Sequence, residues 1–344
     1  MNPKGKIKVL VVDDSMVFRE ILSRGLSSDP SIEVVAKAVD PFDARDKIIQ
    51  YQPHVMTCDI QMPKMNGIEF IRRLMPQYPL PVVVVSTISD AVFDAMNAGA
   101  VDFVTKPDIQ SAGTVEAFIN ELIVKVKIAS MSKAALLNTN TAITKEVKKD
   151  DRYSDIKVIA IGASTGGTVA LYDLLKVLPQ SMPGIVITQH IPPVFSRMFA
   201  DRLNTSTQLS VKEARTGDII EKGKVLIAPG DQHMRVKKYG SYYKVECYRG
   251  DKVNGHCPSV DVLFESVARE VKDQSIGIIL TGMGYDGAKG LLSMRRAGAK
   301  TIGQDQGSCV VYGMPKVAYN IGAVEYQLPL GSITNMVYAI LRER

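Results

Sequence analysis

A serine flanked by glycines directly follows a short apolar run near the middle of the chain. Val158–Ile161 leads into Gly162-Ala163-Ser164-Thr165-Gly166-Gly167, and the helix-like segment Thr168–Leu171 follows. This order predicts a buried strand, a tight turn and a helix. The Ser164 hydroxyl would then lie at the carboxyl edge of a sheet, where a nucleophilic serine needs to be. The same pattern also fits a phosphate-binding turn or close strand–helix packing, so the motif alone leaves catalysis open.

Length and composition indicate two folded domains. The chain has 344 residues, and a domain typically takes about 150. No apolar run reaches the ~18–20 residues of a membrane span, and Val9–Val12 is too short for a signal peptide, so we expect a cytoplasmic protein without membrane insertion. The four cysteines lack zinc-ligand spacing. The net charge of +6 is mild and its basic residues are dispersed, so nucleic acid is not an expected partner.

Short apolar runs alternate with helix-like segments through the first domain. The runs lack period-2 alternation, as in strands buried on both faces of a parallel sheet. They are Val9–Val12, Val34–Ala36, Val55–Met56, Val82–Val85 and Val101–Val104. The pattern predicts a doubly wound, flavodoxin-like α/β domain over residues 1–128.

A polar, aperiodic stretch over residues 129–154 predicts a linker, although part of it could continue the helical pattern of Val115–Ile128. Residues 155–344 return to α/β alternation, so we predict a second doubly wound, Rossmann-like domain. Its expected parallel strands are Val158–Ile161, Ile185–Thr188, Ile276–Leu280 and Thr301–Ile302. Leu209–Tyr248 differs, and its closely spaced runs, including Val225–Ala228, predict an antiparallel meander added to the parallel sheet.

Acidic residues follow two strands of the first domain. Asp13 and Asp14 follow the first strand, Asp59 follows the third, and Lys106 follows the fifth. Because the carboxyl ends of parallel strands share one edge, these side chains should converge there. Three clustered carboxylates are costly without a cation, and hard oxygen ligands favour Mg²⁺.

Five motifs of this domain occur together: Val12-Asp13-Asp14-Ser15, Cys58-Asp59-Ile60-Gln61-Met62-Pro63, Asn66-Gly67, Val85-Ser86 and Thr105-Lys106-Pro107. The set resembles a response-regulator receiver domain. The resemblance implies that Asp59 accepts a phosphoryl group and that Asp14, Asp59 and the Gln61 carbonyl hold Mg²⁺. It further implies that Asp13 completes the acidic pocket and that Ser86 and Lys106 bind phosphate oxygens. The alternative is a flavodoxin-like domain whose acidic residues serve solubility.

A nucleophilic serine needs a general base and a group that orients the base. His190 follows the strand Ile185–Thr188 and could share the edge with Ser164, whereas His233 and His256 fit as structural loop histidines. Asp286 follows Ile276–Leu280 in a glycine-rich turn and could orient the base. Asp261 and Asp305 are weaker rivals, and Asp286 could instead only cap the next helix.

The second domain carries five further motifs: residues 161–167 (IGASTGG), 188–193 (TQHIPP), 228–234 (APGDQHM), 258–264 (PSVDVLF) and 280–287 (LTGMGYDG). Together they resemble the catalytic domain of the chemotaxis protein-glutamate methylesterases. The resemblance implies a hydrolase that removes methyl groups from glutamate γ-methyl esters of bacterial chemoreceptors, releasing methanol, and also deamidates receptor glutamines.

In that family pattern Ser164 is the nucleophile, His190 the base and Asp286 its orienting carboxylate, and backbone amides near Met283 hold the oxyanion. The esterase reaction would need no cofactor. Chemoreceptors and a chemotaxis histidine kinase would be the partners of a monomer whose unphosphorylated receiver inhibits catalysis.

Two other classes of function are compatible with parts of the sequence. A receiver could precede a DNA-binding output, but residues 155–344 far exceed a helix-turn-helix and show no basic recognition helix. The second domain could also be a non-catalytic docking scaffold, against which the presence of Ser164, His190 and Asp286 argues.

Overall fold

Residues 5–87, 91–107, 112–132 and 155–342 are described by the structure, a computed structural model. The chain forms two units, Met1–Thr139 and Asn140–Arg344. Within the described ranges, no helix combines the length and apolar character that a membrane crossing requires.

The first unit is a five-stranded parallel sheet with helices between successive strands. Its spatial strand order is β2-β1-β3-β4-β5. The strands are β1 (Ile7–Val12), β2 (Ile32–Ala38), β3 (Val55–Cys58), β4 (Val82–Ser86) and β5 (Asp102–Thr105). The helices are α1 (Met16–Ser27), α2 (Pro41–Tyr51), α3 (Gly67–Leu74), α4 (Ala91–Asn97) and α5 (Ala112–Met131). Val9–Val12 of β1, and all of β3 and β4, are buried because both faces of the sheet are covered.

Three helices of this unit begin at a side-chain cap. Ser15 Oγ accepts a hydrogen bond from the Phe18 amide at 3.4 Å, and Asn66 Oδ1 accepts one from the Glu69 amide at 2.8 Å. Asp40 caps α2 in the same way. Each cap satisfies an amide that the first helical turn leaves without a partner. α5 continues to Met131, so residues 129–131, which the sequence assigned to the linker, are helical. Residues 133–154 of that predicted linker lie outside the described residues.

The second unit contains a seven-stranded parallel sheet in the order β15-β14-β13-β6-β7-β10-β8 and a separate antiparallel sheet in the order β11-β12-β9. The strands of the parallel sheet are β6 (Val158–Ala163), β7 (Gly184–Gln189), β8 (Ser210–Glu213), β10 (Lys224–Ile227), β13 (Ser275–Ile279), β14 (Lys300–Gln304) and β15 (Tyr326–Leu328). The antiparallel strands are β9 (Ile219–Ile220), β11 (His233–Tyr239) and β12 (Tyr242–Tyr248).

Six α-helices and a short 3-10 helix (Lys272–Gln274) complete the described part of this unit. The α-helices are α6 (Gly167–Leu175), α7 (Phe195–Ser206), α8 (Val260–Glu270), α9 (Ala288–Arg296), α10 (Met314–Asn320) and α11 (Leu330–Arg342). The two parallel sheets confirm the predicted fold class, including the added antiparallel strands.

The meander predicted for Leu209–Tyr248 is only partly correct. β11 and β12 form the expected antiparallel hairpin, and β9 pairs antiparallel with β12. β8 and β10 instead join the parallel sheet, where Val225–Ile227 pair with Ile185–Ile187 of β7. The three residues Val225–Ile227 are fully buried, and a continuous apolar run is typical of a parallel strand covered on both faces. The close spacing of the runs therefore did not indicate which sheet each strand joins.

Both sheets have a point where the strand order reverses. In the first unit it lies between β1 and β3, and in the second unit between β6 and β13. At such a point, helices on neighbouring strands leave toward opposite faces, so a crevice opens beyond the carboxyl ends of the two strands. The carboxyl ends of β1 and β3 precede the acidic residues, and those of β6 and β13 precede Ser164 and the 281–287 turn.

Candidate active site and acidic pocket

Ser164 is held through its backbone by three segments. Its amide donates a hydrogen bond to Thr281 O at 3.0 Å, beyond the end of β13. Its carbonyl oxygen accepts from the Gly167 amide at 2.7 Å and from Gln189 Nε2 at 2.9 Å. Strand ends on both sides of β6 and the start of α6 therefore fix the serine, which suits a nucleophile that must not move.

Two glycines let the surrounding backbone approach this turn. Gly166 has φ of +77° just before α6, a left-handed conformation that side chains other than glycine disfavour. A Cβ atom at Gly282 would lie 2.6 Å from Ser164 Cβ. The turn after β13 therefore packs directly against the serine, and a larger residue at 282 would displace it.

His190 lies beside Ser164 on the neighbouring strand end. β6 and β7 are in register at Ala163 and Gln189, and the His190 amide donates to Ala163 O at 3.1 Å. His190 Nε2 lies 2.9 Å from Asp286 Oδ2. Within the described part of the chain, buried His190 Nδ1 has no hydrogen-bond partner, so it is not bonded to Ser164 Oγ. Catalytic hydrogen bonds are often loose without substrate, so this geometry keeps His190 as the candidate base.

Asp286 is 1% exposed and is surrounded by donors. The donors are His190 Nε2, Asn254 Nδ2, Ser259 Oγ and the amides of Val260 and Asp261. Burial by itself would raise the pKa of this carboxyl. The hydrogen bond and charge of His190, with the bonds from Asn254 and Val260, outweigh burial and hold the pKa well below its usual range. Asp286 is thus an ionised, immobile partner for His190.

The rival residues have other structural roles. His233 is 2% exposed, its Nδ1 accepts from the Ser259 amide at 3.2 Å, and its Nε2 lies 2.9 Å from Asp251 O. Asp305 accepts hydrogen bonds from Ser308. Asp261 accepts from the Gly290 amide at 2.7 Å and from Asn254 Nδ2, so it supports the site from behind Asp286.

Met283 lies in the turn that packs on Ser164. The Gly282 carbonyl accepts hydrogen bonds from the amides of Gly313 at 3.1 Å and Met314 at 2.8 Å. The Gly282 amide donates to Val311 O at 3.0 Å. The backbone next to Met283 is therefore anchored, and its amide is a candidate donor for an oxyanion near Ser164.

Sequence reasoning missed the contacts of Asn254 and Ser259 at this site and interpreted His256 only as a structural loop histidine. Asn254 and Ser259 donate to Asp286, and the His256 ring stacks on the His190 ring with centroids 3.7 Å apart. The available signal was Asn254-Gly255, a pair typical of a two-residue hairpin turn. That signal predicts the turn but not the site on which the turn packs.

The first unit brings its predicted acidic residues together. Carboxylate oxygens of Asp13, Asp14 and Asp59 lie within 4.8 Å of one another, with Asp13 and Asp59 buried and Asp14 exposed. Lys106 Nζ lies 2.5 Å from Asp59 Oδ2 and 2.8 Å from Asp13 Oδ2. Asp59 Oδ1 accepts from the Ile60 amide at 2.7 Å, which fixes the carboxylate.

The pocket suits a hard divalent cation. Burial raises the pKa of the Asp13 carboxyl, and Asp59 adds to this effect, against the opposing influence of Lys106. Three clustered carboxylates thus face one lysine, and oxygen ligands with partial exposure at Asp14 fit Mg²⁺ and its retained waters.

Ser86 also reaches this edge. Its carbonyl oxygen accepts from the Lys106 amide at 2.8 Å, so β4 and β5 present Ser86 and Lys106 side by side. Burial would lower the pKa of Lys106, but its hydrogen bonds to Asp13 and Asp59 outweigh burial and raise it, so Lys106 is a fixed cation. Gln61 follows Asp59 by two residues, and its amide lies 3.3 Å from Asp59 Oδ1.

Taken together, the fold and the two sites define a response regulator whose output domain is an α/β hydrolytic unit. Comparison with known proteins supports this assignment of both domains. A response regulator receiver domain model matches residues 9–114, and a CheB methylesterase model matches residues 159–337. Both resemblances found in the sequence are thereby confirmed.

Full-length relatives share this organisation. A Syntrophomonas wolfei protein named protein-glutamate methylesterase/protein-glutamine glutaminase 2 is 56% identical, over 98% of each chain. A Salmonella typhimurium protein named protein-glutamate methylesterase/protein-glutamine glutaminase is 44% identical, over 97% of each chain. The solved catalytic domain of Thermotoga maritima CheB methylesterase is 37% identical with a TM-score of 0.53, covering 54% of this chain and 98% of that one. The chain belongs to the CheB methylesterase family and carries a response regulator receiver domain.

Proposed function

We propose that this protein is a protein-glutamate methylesterase and protein-glutamine glutaminase that acts on chemoreceptors under control of its receiver domain. The observation that supports this most is the placement of Ser164 and His190 on adjacent strand ends, with His190 bonded to buried Asp286. The names of the full-length relatives indicate the substrate class.

The proposed reaction begins when Ser164 Oγ attacks the γ-carbonyl carbon of a methylated glutamate and His190 Nδ1 takes the hydroxyl proton. The oxyanion that forms is held by backbone amides, with Met283 as the assigned donor. Collapse of the tetrahedral intermediate breaks the carbonyl–methoxy bond, and His190 returns the proton so that methanol leaves. Water then hydrolyses the glutamyl–serine ester by the same steps. With glutamine as substrate the leaving group is ammonia.

His190 Nδ1 suits this transfer because it is buried and has no partner within the described residues, while Nε2 is bonded to Asp286. Asp286 fixes the ring tautomer and stabilises the imidazolium that proton transfer creates. Because Asp286 is already saturated with donors, it stays in place as the charge on His190 changes.

In the receiver we propose that Asp59 accepts the phosphoryl group, while Asp14, Asp59 and the Gln61 carbonyl would hold Mg²⁺ and Asp13 completes the pocket. When bound, the cation offsets the negative charge of the carboxylates and the phosphoryl oxygens. Ser86 and Lys106 bind those oxygens, which requires Lys106 to leave its contact with Asp59.

Because the receiver and the catalytic domain are parts of one chain, we propose that the receiver controls the esterase activity. We assign residues 1–128 to the receiver, 129–154 to the linker and 155–344 to the catalytic domain, with residues 129–131 of the linker forming the end of α5. The unphosphorylated receiver inhibits the catalytic domain, and a chemotaxis histidine kinase supplies the phosphoryl group. The protein acts as a cytoplasmic monomer, and its esterase reaction uses no cofactor.

Methanol release from methylated receptor membranes tests the proposal. Wild type and Ser164→Ala are compared with a small phosphodonor and Mg²⁺, and the variant should lose about 10⁶-fold in kcat. Thr168→Ala, on the first turn of α6, is a control for changes near the turn. Activity of Ser164→Ala within tenfold of wild type would exclude Ser164 as the nucleophile. A lack of release by wild type itself would reject the substrate.

A further inference from the structure

The ring of His256 lies face to face with the ring of His190. The ring centroids are 3.7 Å apart and the planes differ by 9°. Two neutral aromatic rings prefer offset or edge-to-face arrangements with centroids 4.5–7 Å apart. The stack is therefore an arrangement that the surrounding backbone must hold.

The turn that carries His256 provides that hold. Val253 and His256 exchange both backbone hydrogen bonds at 3.0 Å, which closes a two-residue hairpin turn. Asn254 and Gly255 have φ of +53° and +85°, the positive values of a type I′ turn. Asn254 Nδ2 bonds to Asp286 Oδ1 at 2.8 Å and to Asp261 Oδ2 at 2.7 Å. One turn thus fixes the carboxylate through Asn254 and contacts the base through His256.

The hydrogen bond to Asp286 cannot orient His190 by itself. It fixes the position of Nε2 but permits the ring to swing about that atom, which would move Nδ1 away from Ser164. A ring packed flat on one face removes this freedom and excludes water from that face. Because reacting groups must be held near their attack geometry, loss of this constraint should act on turnover rather than on substrate binding.

We propose that His256 is a positioning residue that holds the plane of the general base His190 and covers its face while the proton is transferred. This inference rests on the proposed esterase mechanism. The negative face of a neutral ring also attracts a cation, so the stack becomes more favourable once His190 is protonated.

The charge state of His256 agrees with this role. Burial, and then the neighbouring His190, lower the pKa of His256 to about 4 against the opposing charge of Asp286, while Lys252 adds to the lowering. His256 is therefore neutral near neutral pH and presents an aromatic face rather than a second positive charge.

Two substitutions in the full-length protein separate the aromatic face from polarity and bulk. His256→Phe keeps a flat ring without a titratable nitrogen, whereas His256→Gln keeps a polar side chain of similar length without a ring. We expect His256→Gln to lower kcat by about 10- to 100-fold with KM unchanged, and His256→Phe to retain most of kcat. His54→Ala, at an exposed histidine of the receiver, is the matched control.

Ser164 acylation by p-nitrophenyl acetate, followed by mass spectrometry, supplies a readout that does not depend on the receptor substrate. The acylation rates should rank wild type and His256→Phe above His256→Gln. If wild type is acylated but releases no methanol, the proposed substrate is wrong while the role of His256 is still tested. Equal rates for Gln and wild type, or equal losses for Phe and Gln in folded protein, would overturn the inference.

Discussion

The two sites of this chain use buried aspartates in opposite ways. Asp286 accepts hydrogen bonds from five donors, distributed over both carboxylate oxygens. Asp59 has backbone donors on Oδ1, but Oδ2 is held only by Lys106 among the hydrogen bonds of the described residues. A carboxylate that must orient another group has donors on both oxygens. A carboxylate proposed to form a bond keeps one oxygen with a single side-chain partner, Lys106, which would leave it when the phosphoryl group binds.

The two sites also differ in the charged groups that surround their aspartates. The acidic pocket contains three carboxylates and one lysine, and this excess of negative charge favours binding of a cation. The esterase site pairs one ionised carboxylate with one histidine and surrounds them with neutral donors. Both sites lie where the strand order of a parallel sheet reverses. The backbone arrangement is therefore the same in the two domains, and the side chains at the strand ends determine which chemistry each site can perform.

Among the substitutions that test this comparison of the two aspartates, the largest effect should come from removing the charge of Asp286. Asp286→Asn should lower kcat for methanol release by about 10⁴-fold, because an amide cannot hold His190 in the reactive tautomer or stabilise its cation. The matched control is Asp305→Asn, at the carboxylate that bonds Ser308 and lies outside the triad. A loss under tenfold at Asp286, or an equal loss at Asp305, would show that the orienting carboxylate is misassigned.

The second effect concerns Asp59, whose Oδ2 atom is bonded only to Lys106 among the hydrogen bonds of the described residues. Asp59→Asn should abolish stimulation by a small phosphodonor and Mg²⁺ and leave unstimulated methanol release unchanged, because the proposed acceptor oxygen is gone. Asp46→Asn, at a side chain that is 67% exposed on α2, is the control and should respond as wild type does. Chelation of Mg²⁺ should reproduce the Asp59→Asn result in wild type. Persistent stimulation in Asp59→Asn would place the phosphoryl group elsewhere.

The smallest effect is on stability and depends on pH. The folded-state pKa of His256 is about 4, below the ordinary value of 6.5, so the folded protein binds fewer protons than the unfolded chain between these values. The contribution of His256 to the free energy of unfolding is present above pH 6.5 and is lost as the pH falls toward 4. Asp286 does not contribute to the pH dependence between pH 6.5 and 4. Its contribution to the free energy of unfolding is lost only as the pH falls below the ordinary pKa of aspartate.

Urea unfolding at pH 7 and pH 5 measures this effect. Wild type should lose about 1–2 kcal/mol more than His256→Phe between the two pH values, because phenylalanine does not titrate. The shift alone corresponds to about 2 kcal/mol over the 1.5 pH units below 6.5, and solvent screening of the partly exposed ring reduces it. His54→Ala is the control for loss of a histidine outside the catalytic unit. An equal loss in wild type and His256→Phe would mean that the His256 ring is protonated as readily in the folded protein as in the unfolded chain.

Much of this arrangement was predictable because buried parallel strands leave a local signature. The runs at Val9–Val12 and Val158–Ile161 are apolar at every position, since both faces of the sheet are covered. Residues that follow such runs lie on one edge of the sheet. Ser164 and His190 on adjacent strand ends, and Asp13 and Asp59 in the acidic pocket, follow from that rule.

The parts that were missed depend on pairing between distant segments. The apolar run at Val225–Ile227 could belong to either sheet, and only its register with β7 decides the matter. Asn254-Gly255 indicates a turn from local backbone preference, but nothing local to the turn indicates that it would pack on Asp286 and His190.

The sequence by itself determined the α/β alternation, the two-domain organisation and the residue types at the strand ends, because these depend on burial periodicity and on short motifs. Only the tertiary structure decided which sheet β8 and β10 join, how the donors distribute over Asp286, and that His256 covers the face of His190. These features arise from contacts between segments far apart in the chain, whose free energy depends on packing geometry rather than on local preference.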